Sequence, residues 1–359
     1  MSLPWENPEQ RRALQAQLIA WQERHGRHDL PWQQPATPYR VWISEVMLQQ
    51  TRVETVIPYF QRFMARYPDI PALASAELDD VLALWAGLGY YARARNLHAA
   101  ARAVTAEHGG ELPTTLAALQ ALPGIGPSTA GAIRSLGHGL PAPILEGNVK
   151  RILARLAAIP EWPGRSPVAR RLWTIAEALV PEQHCRAFNQ GLMDLGALVC
   201  TPRAPACSDC PLASACAARA TGAPEAYPGA RPSRQRPQRQ VRLLLIEDGG
   251  GLLLEQRPPT GIWGGLWSLP ECATEDDPVA RARALGAVCE PAGELAPRLH
   301  AFTHFELHMQ PSRLRRVGAP PEAREPAAGL RWFRPDREAL PGLPAPIRRI
   351  LTEAGYPTE

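Results

Sequence analysis

At 359 residues the chain exceeds one ordinary core, since domains run to roughly 100 to 200 residues, so two or three are expected. Its 39 Lys plus Arg against 35 Asp plus Glu leave a net charge of only +4, which excludes bulk charge as an argument for nucleic-acid binding. No stretch approaches the roughly 20 apolar residues that span a bilayer, and residues 1–30 carry Glu, Gln, Arg and His throughout, so a soluble, unexported chain in the cytosol is expected.

From Pro8 to about Arg219 apolar residues recur at three- and four-residue spacing, with Pro or Gly at the breaks, which predicts helix after helix. Examples are Val41–Arg66, Leu78–Trp85 and Arg93–Glu107. Composition then shifts: residues 220–240 hold Pro224, Pro228, Pro232 and Pro237 with almost no large apolar residue, and read as a linker. Arg231, Arg234, Arg236, Arg239 and Arg242 form a basic string there, able to follow a phosphate backbone or simply to be solvated. Val241–Ile246 and Leu252–Glu255 read as strands joined by the turn Asp248-Gly249-Gly250-Gly251, a strong hairpin signal. Leu340–Ala354 returns to helical spacing, so the second domain is expected to be α+β.

Two segments carry chemistry. The seven cysteines are an odd number, and four of them, Cys200, Cys207, Cys210 and Cys216, crowd into one stretch among Pro202, Pro205 and Pro211. That is no secreted disulfide framework; it offers four thiolates to one compact centre. Structural zinc fits four cysteines too, but usually with two separated pairs, so the spacing favours iron-sulfur. Arg203, within the loop, can meet a phosphate or solvent, and Cys185, Cys272 and Cys289 read as small buried hydrophobes. The second segment is Leu122-Pro123-Gly124-Ile125-Gly126-Pro127-Ser128-Thr129-Ala130-Gly131. Its glycines allow a tight turn into a helix N-terminus, where bare amides suit a phosphate, although such turns are also plain structure.

This hairpin followed by a cysteine cluster resembles the helix-hairpin-helix DNA glycosylases, and the cysteine spacing is similar to their [4Fe-4S] signature. Within that superfamily, Trp42-Ile43-Ser44-Glu45-Val46-Met47-Leu48-Gln49-Gln50-Thr51 and Gly87-Leu88-Gly89-Tyr90-Tyr91-Ala92-Arg93 closely resemble MutY-type adenine DNA glycosylases. Pro31-Trp32-Gln33, Glu146-Gly147-Asn148-Val149-Lys150-Arg151 and Phe188-Asn189-Gln190 extend the likeness. The resemblance implies an all-α glycosylase domain over residues 1–219, with a [4Fe-4S] cluster on Cys200, Cys207, Cys210 and Cys216. It implies a monomeric base-excision-repair enzyme that flips out and removes adenine opposite 8-oxoguanine or guanine in double-stranded DNA. Such an enzyme needs no membrane and works at the bacterial nucleoid in the cytoplasm.

By the same resemblance Glu45 is the acid that protonates adenine N7, and its apolar helical company favours the protonated form by desolvation. The second carboxylate is an aspartate in the family; here it is Glu146, and the added methylene predicts slower chemistry. Asn148 is similar to a residue that holds the sugar and its water, or else is a helix cap. Ser128 stands where strand-cleaving relatives carry a lysine; serine forms no imine, so a monofunctional enzyme is expected. Lys150, just past the catalytic loop, meets phosphate or solvent. Gln50 and Tyr90 are implied to enter the base stack, Thr51 and Leu88 to approach the lesion, and Trp32 and Gln190 to line the adenine pocket. For Leu88, core packing is the strong alternative. Gly124 and Gly126 are the implied phosphate-binding turn.

Residues 241–359 resemble the Nudix-like C-terminal domain of these enzymes, in Gly261–Pro270 and His300–Phe305. Phe302, Thr303 and His304 match the loop that inspects 8-oxoguanine, with a hydroxyl retained at Thr303. Nudix hydrolases hold Mg²⁺ with a carboxylate-rich helix, whereas Glu271, Glu275, Asp276 and Asp277 form no such pattern, so recognition rather than hydrolysis is expected. The alternatives are an endonuclease III-like glycosylase-lyase, opposed by Ser128 and the second domain, and a non-catalytic lesion-binding protein, should Glu146 abolish turnover.

Overall fold

Proline and a capping side chain open several of the helices that the spacing predicts, and the computed structural model describes residues 5–232, 235–317 and 328–358. Asn7 caps α1 (Pro8–His25), Thr37 caps α2 (Pro38–Leu48) and Asp69 caps α4 (Ile70–Ala74), each with proline in the first turn. Between and beyond lie α3 (Val53–Arg66), α5 (Leu78–Trp85), α6 (Ala92–His108), α7 (Leu116–Ala121), α8 (Pro127–Ala132), α9 (Gly147–Leu156), α10 (Ser166–Leu179), α11 (Cys185–Leu198) and α12 (Ala217–Ala220). A π turn, Ile133–Gly137, continues α8.

One expectation fails instructively. Val41–Arg66 is not one helix but α2 and α3, because Gln49 leaves helical geometry and Gln50 adopts φ 57°. No Gly or Pro marks that break, so apolar spacing ran straight through it. Leu78–Trp85 is α5 as expected, and Arg93–Glu107 falls within α6.

The chain divides into two compact units, residues 1–75 with 96–233 and residues 76–95 with 234–359. The segment expected as one helical domain over residues 1–219 is therefore shared, Ala76–Arg95 grouping with the C-terminal residues. In the first unit α1, α9, α10 and α11 bury a common core that includes Leu18, Leu153, Leu172, Phe188 and Leu195. A smaller cluster of Val41, Ala132, Leu136 and Ile144 joins α2 to the end of α8 and the π turn.

The second unit is built on a mixed sheet of β1 (Gln238–Asp248), β2 (Gly251–Gln256), β3 (Trp267–Ser268), β4 (Glu271–Cys272), β5 (Cys289–Glu294), β6 (Arg298–Ala301), β7 (Glu306–Arg316) and β8 (Leu330–Phe333), with α13 (Pro278–Ala284) and α14 (Ala345–Glu353). The strand order is β3-β2-β1-β7-β5; β4 pairs with β1, β6 with β7 and β8 with β2. The pair β1 and β7 is parallel, from Gln238↔Glu306 to Glu247↔Arg315. The expected hairpin forms, with Asp248 opposite Gly251 and Gly249 and Gly250 at φ 52° and 99°, where a side chain would be strained. Leu244, Ile246, Leu253, Ala282 and Leu314 form its core. From the segment 76–95, Asp79 accepts from Trp267 Nε1 at 3.2 Å and Gln256 Nε2 at 3.4 Å.

The linker ends earlier than residue 240, since β1 begins at Gln238, and this changes the basic string. Arg242 is committed to Glu294, Ser312 and the Thr274 carbonyl, and Arg239 lies 4.6 Å over the Phe305 ring. Arg231 and Arg236 are exposed, and Arg234 lies outside the described residues. Among the described residues no helix is long and apolar enough to cross a membrane.

Candidate active site

The end of α1, the loop into α2, α2 itself, the π turn and α11 enclose a cavity of about 270 Å³. That suits one heterocyclic base, since drug-sized ligands take pockets from roughly 300 Å³ upward. Trp32, Glu45 and Gln190 line it together. Trp32 is buried, its ring edge-on to Phe60 with centroids 5.5 Å apart. Glu45 rides on a helix that otherwise buries Val41, Trp42, Ile43, Val46 and Met47. Burial first, and the Glu146 charge second, push the Glu45 carboxyl up to about 7, so near neutrality much of it holds its proton.

Sequence reading missed the polar frame of this cavity. Asp194 on α11 is 0% exposed and accepts from Arg27 Nε at 2.8 Å, from the Arg27 amide at 3.0 Å and from Gln190 Nε2 at 3.0 Å. Only the one-turn spacing from Gln190 to Asp194 hints at it, and nothing local announces Arg27 as the third member. Gln33 ties the same loop from within, donating to the Arg27 carbonyl at 3.0 Å.

Glu146 is the N-cap of α9. Its two carboxylate oxygens accept from the amides of Asn148 at 2.9 Å and Val149 at 3.0 Å. These bonds at a helix N-terminus fix the carboxylate in place, and its charge is felt at Glu45. The cap reading of Asn148 therefore fails, because the capping carboxylate precedes it. Asn148 Oδ1 instead accepts from Arg151 Nη2 at 2.8 Å, and Arg151 also donates to the carbonyls of Gly196 and Cys200. Ser128 Oγ accepts from the Leu145 amide at 3.2 Å, bracing the residue just before Glu146.

In the hairpin the two glycines serve different ends. Gly124 sits at φ 75°, and a Cβ there would come within 2.6 Å of Asn96 Cβ, so the turn requires glycine. Gly126 is the N-cap of α8, and a Cβ there would meet nothing within 4 Å, leaving that face open. Gln50 is exposed on its left-handed backbone, with half-buried Thr51 beside it. Strain of this kind, of order 1–3 kcal/mol, concentrates at working sites. In the second unit Tyr90 shares both features, at φ 49° and 45% exposed, with Arg93 braced beneath its ring and donating to the carbonyls of Leu88 and Gly89. Leu88 is 6% exposed, so its side chain belongs to packing.

Cys200, Cys207, Cys210 and Cys216 line one small cavity with Arg155. Arg155 Nη1 donates to Cys200 Sγ at 3.2 Å and to the Thr201 carbonyl at 2.7 Å. Burial, with the charges of the other three cysteines adding to it, pushes the Cys210 thiol up to about 11, and burial likewise raises Cys216. A bound cation would reverse that penalty, and four cysteine thiols are the donor chemistry that soft metals take. Among the described residues no group of three or more His, Cys, Asp or Glu side chains is gathered closely enough for a single ion.

The turn from β6 to β7 carries the other candidates. The Phe302 amide donates to the Phe305 carbonyl at 2.8 Å and the two rings stack at 4.5 Å, leaving Thr303 and His304 exposed at the tip. The carboxylates after Pro270 are otherwise engaged: Glu271 pairs with Arg257, Asp276 accepts from the Ala273 amide and Asp277 caps α13. α13 itself carries no acid.

A family model described as the HhH-GPD superfamily base excision DNA repair protein matches residues 43–178, and one described as a NUDIX domain matches residues 241–353. The solved structure of a thermostable thymine-DNA glycosylase aligns with TM-score 0.53 at 28% identity, over 60% of this chain and 98% of that one. Fold and site together define a helix-hairpin-helix base-excision glycosylase joined to a Nudix-like unit with a mixed α+β architecture. The adenine DNA glycosylase of Buchnera aphidicola subsp. Acyrthosiphon pisum (strain APS) is 36% identical over 334 residues, 93% of this chain and 95% of its own length. The adenine DNA glycosylase of Homo sapiens is 36% identical over 384 aligned positions, 89% of this chain and 70% of its own length. This chain belongs to the adenine DNA glycosylase family, the MutY type.

Proposed function

We propose that this N-glycosylase excises adenine paired with 8-oxoguanine or guanine in double-stranded DNA, without cleaving the strand. The observation that carries the reading is a carboxyl pushed up to about 7 in a base-sized cavity, with a second carboxylate close enough to raise it. Glu45 gives its proton to adenine N7, the bond from sugar C1′ to N9 breaks, and adenine leaves neutral. The Glu146 anion meets the oxocarbenium-like sugar, and Asn148, held by Arg151, orients the incoming water. Ser128 lacks the amine that an imine requires.

Trp32 and Gln190 hold the flipped base, Gln50 enters the vacated stack with Thr51 on the lesion side, and the exposed Tyr90 ring stacks on a base. The Gly124–Gly126 turn takes a backbone phosphate, and Phe302, Thr303 and His304 read the oxidised guanine. Cys200, Cys207, Cys210 and Cys216 would hold a [4Fe-4S] cluster, which when bound cross-links the loop over residues 200–216. The working division is a glycosylase domain within residues 1–219, a linker to residue 237 and a recognition domain from Gln238 onward, acting as a monomer in the cytoplasm.

Single-turnover adenine release from an 8-oxoguanine:adenine duplex tests the reading. Release by the parent and at least a roughly hundredfold loss in Glu45→Gln is the expected result. Equal release by both overturns the role of Glu45, and no release by the parent points to a lesion-binding protein.

A further inference from the structure

We propose that Asp194 is a positioning residue that makes the cavity selective for a base with an amino group at its 6-position, by fixing which end of the Gln190 amide faces the base. The inference rests on the glycosylase reading and deepens it.

An amide side chain offers a donor at one end and an acceptor at the other, and rotation by half a turn exchanges them. Left free, Gln190 would serve an amino group and a carbonyl equally well. Asp194 removes that freedom. Asp194 Oδ1 already accepts from the Arg27 guanidinium and serves as an acceptor, so the Gln190 Nε2 that lies 3.0 Å from it is fixed as the nitrogen. The amide oxygen is thereby turned away from Asp194, on a side chain that lines the cavity.

Arg27 keeps Asp194 in that role. It lies within 2.8 Å of the same Oδ1 through both Nε and Nη2, while its backbone amide takes Oδ2 at 3.0 Å. With no exposed side-chain surface and both oxygens engaged by Arg27, this carboxylate is held in one orientation, with Oδ1 toward Gln190. The wall therefore presents a fixed acceptor. Adenine answers it with its exocyclic N–H, whereas hypoxanthine brings a carbonyl oxygen to the same place and leaves two acceptors facing each other. Sites that hydrogen-bond a substrate group reject analogues lacking it far better than apolar pockets reject a change of size, because the buried partner is left unpaired.

The test uses the full-length protein and duplexes with 8-oxoguanine opposite either 2′-fluoro-2′-deoxyadenosine or 2′-fluoro-2′-deoxyinosine, whose glycosidic bonds resist cleavage. Their dissociation constants are compared for the parent, Asp194→Asn, Gln190→Ala and the double variant. The parent is expected to prefer the adenine duplex by about tenfold or more, and Asp194→Asn to remove most of that preference, since asparagine can donate as well as accept. The double variant is expected to match Gln190→Ala, because Asp194 acts through Gln190.

A parent without preference, or an Asp194→Asn protein that weakens both duplexes equally, overturns the inference; a purely structural Asp194 gives the second result. If Asp194→Asn does not fold, Gln190→Ala decides: an unchanged preference overturns the inference, and a lost one supports it. Binding needs no turnover, so a parent that releases no adenine refutes the excision reading while this ratio still decides the role of Asp194.

Discussion

Two regions of the molecule hold clusters of acidic side chains, and they put them to opposite uses. In the helical unit Glu45 lines a cavity, enters none of the ion pairs found among the described residues, and is pushed up to about 7, first by burial and second by the Glu146 charge. In the sheet unit Glu271 has Arg257, Asp276 has a backbone amide and Asp277 has the N-terminus of α13. The residue types are the same; what differs is whether the surroundings satisfy the charge. An acid left unsatisfied in a cavity can do proton chemistry, while one that is paired only holds the fold.

The sharpest way to break this contrast is to remove the unsatisfied acid and measure stability. The Glu45 carboxyl is raised on folding, so the folded state is destabilised relative to the unfolded one wherever the group must ionise, that is, as pH rises above the unfolded value of 4.5 toward and past about 7. Glu45→Gln is therefore expected to stabilise the protein by up to about 3 kcal/mol at pH 8.5 and negligibly at pH 4, seen in urea unfolding at both pH values. Equal midpoints at pH 8.5 would mean that Glu45 is not held against its preference.

Glu146→Asp keeps the cap on α9 and withdraws the carboxylate by one methylene. Single-turnover release is expected to rise by about tenfold and up to a hundredfold; no increase sinks the geometric explanation. For the parent, the release rate should fall about tenfold per pH unit above 7 as Glu45 loses its proton, while Glu45→Gln shows no such limb. The paired acids mark the small end of the scale. Asp277→Ala should cost about 1 kcal/mol of stability through its lost cap and leave adenine release unchanged. A fall in release would make the sheet unit's carboxylates more than structural.

Much of the candidate site could be read from sequence because it is written in contiguous runs. The stretch around Glu45 shows its acid and its apolar company within one helix, and the four cysteines fall within one loop. What escaped reading depends on residues far apart in the chain or on backbone geometry that no residue type announces. Asp194 meets Arg27 across 167 positions, and the break at Gln50 carries neither glycine nor proline. The role of Glu146 as a cap was hidden because glutamate is not a favoured capping residue; here its longer side chain folds back onto two amides. Arg242, read as part of a free basic string, is consumed by Glu294 once the sheet closes. In the sheet unit the hairpin at Gly249-Gly250 was legible, since a two-residue turn is specified locally, whereas the parallel pairing of β1 with β7 was not.

That parallel pairing also sets an order of events during synthesis. The first strand is finished at residue 248, but its long partner arrives only with residues 306–316, and until then Leu243–Ile246, wholly buried in the folded protein, have one unpaired edge. A ribosome releasing its product between those points delivers an apolar strand with open hydrogen-bonding groups, the usual seed of aggregation. Chains cut short between residues 248 and 316 should therefore be lost to inclusion bodies or proteolysis, so that a stop codon in that interval removes the whole protein.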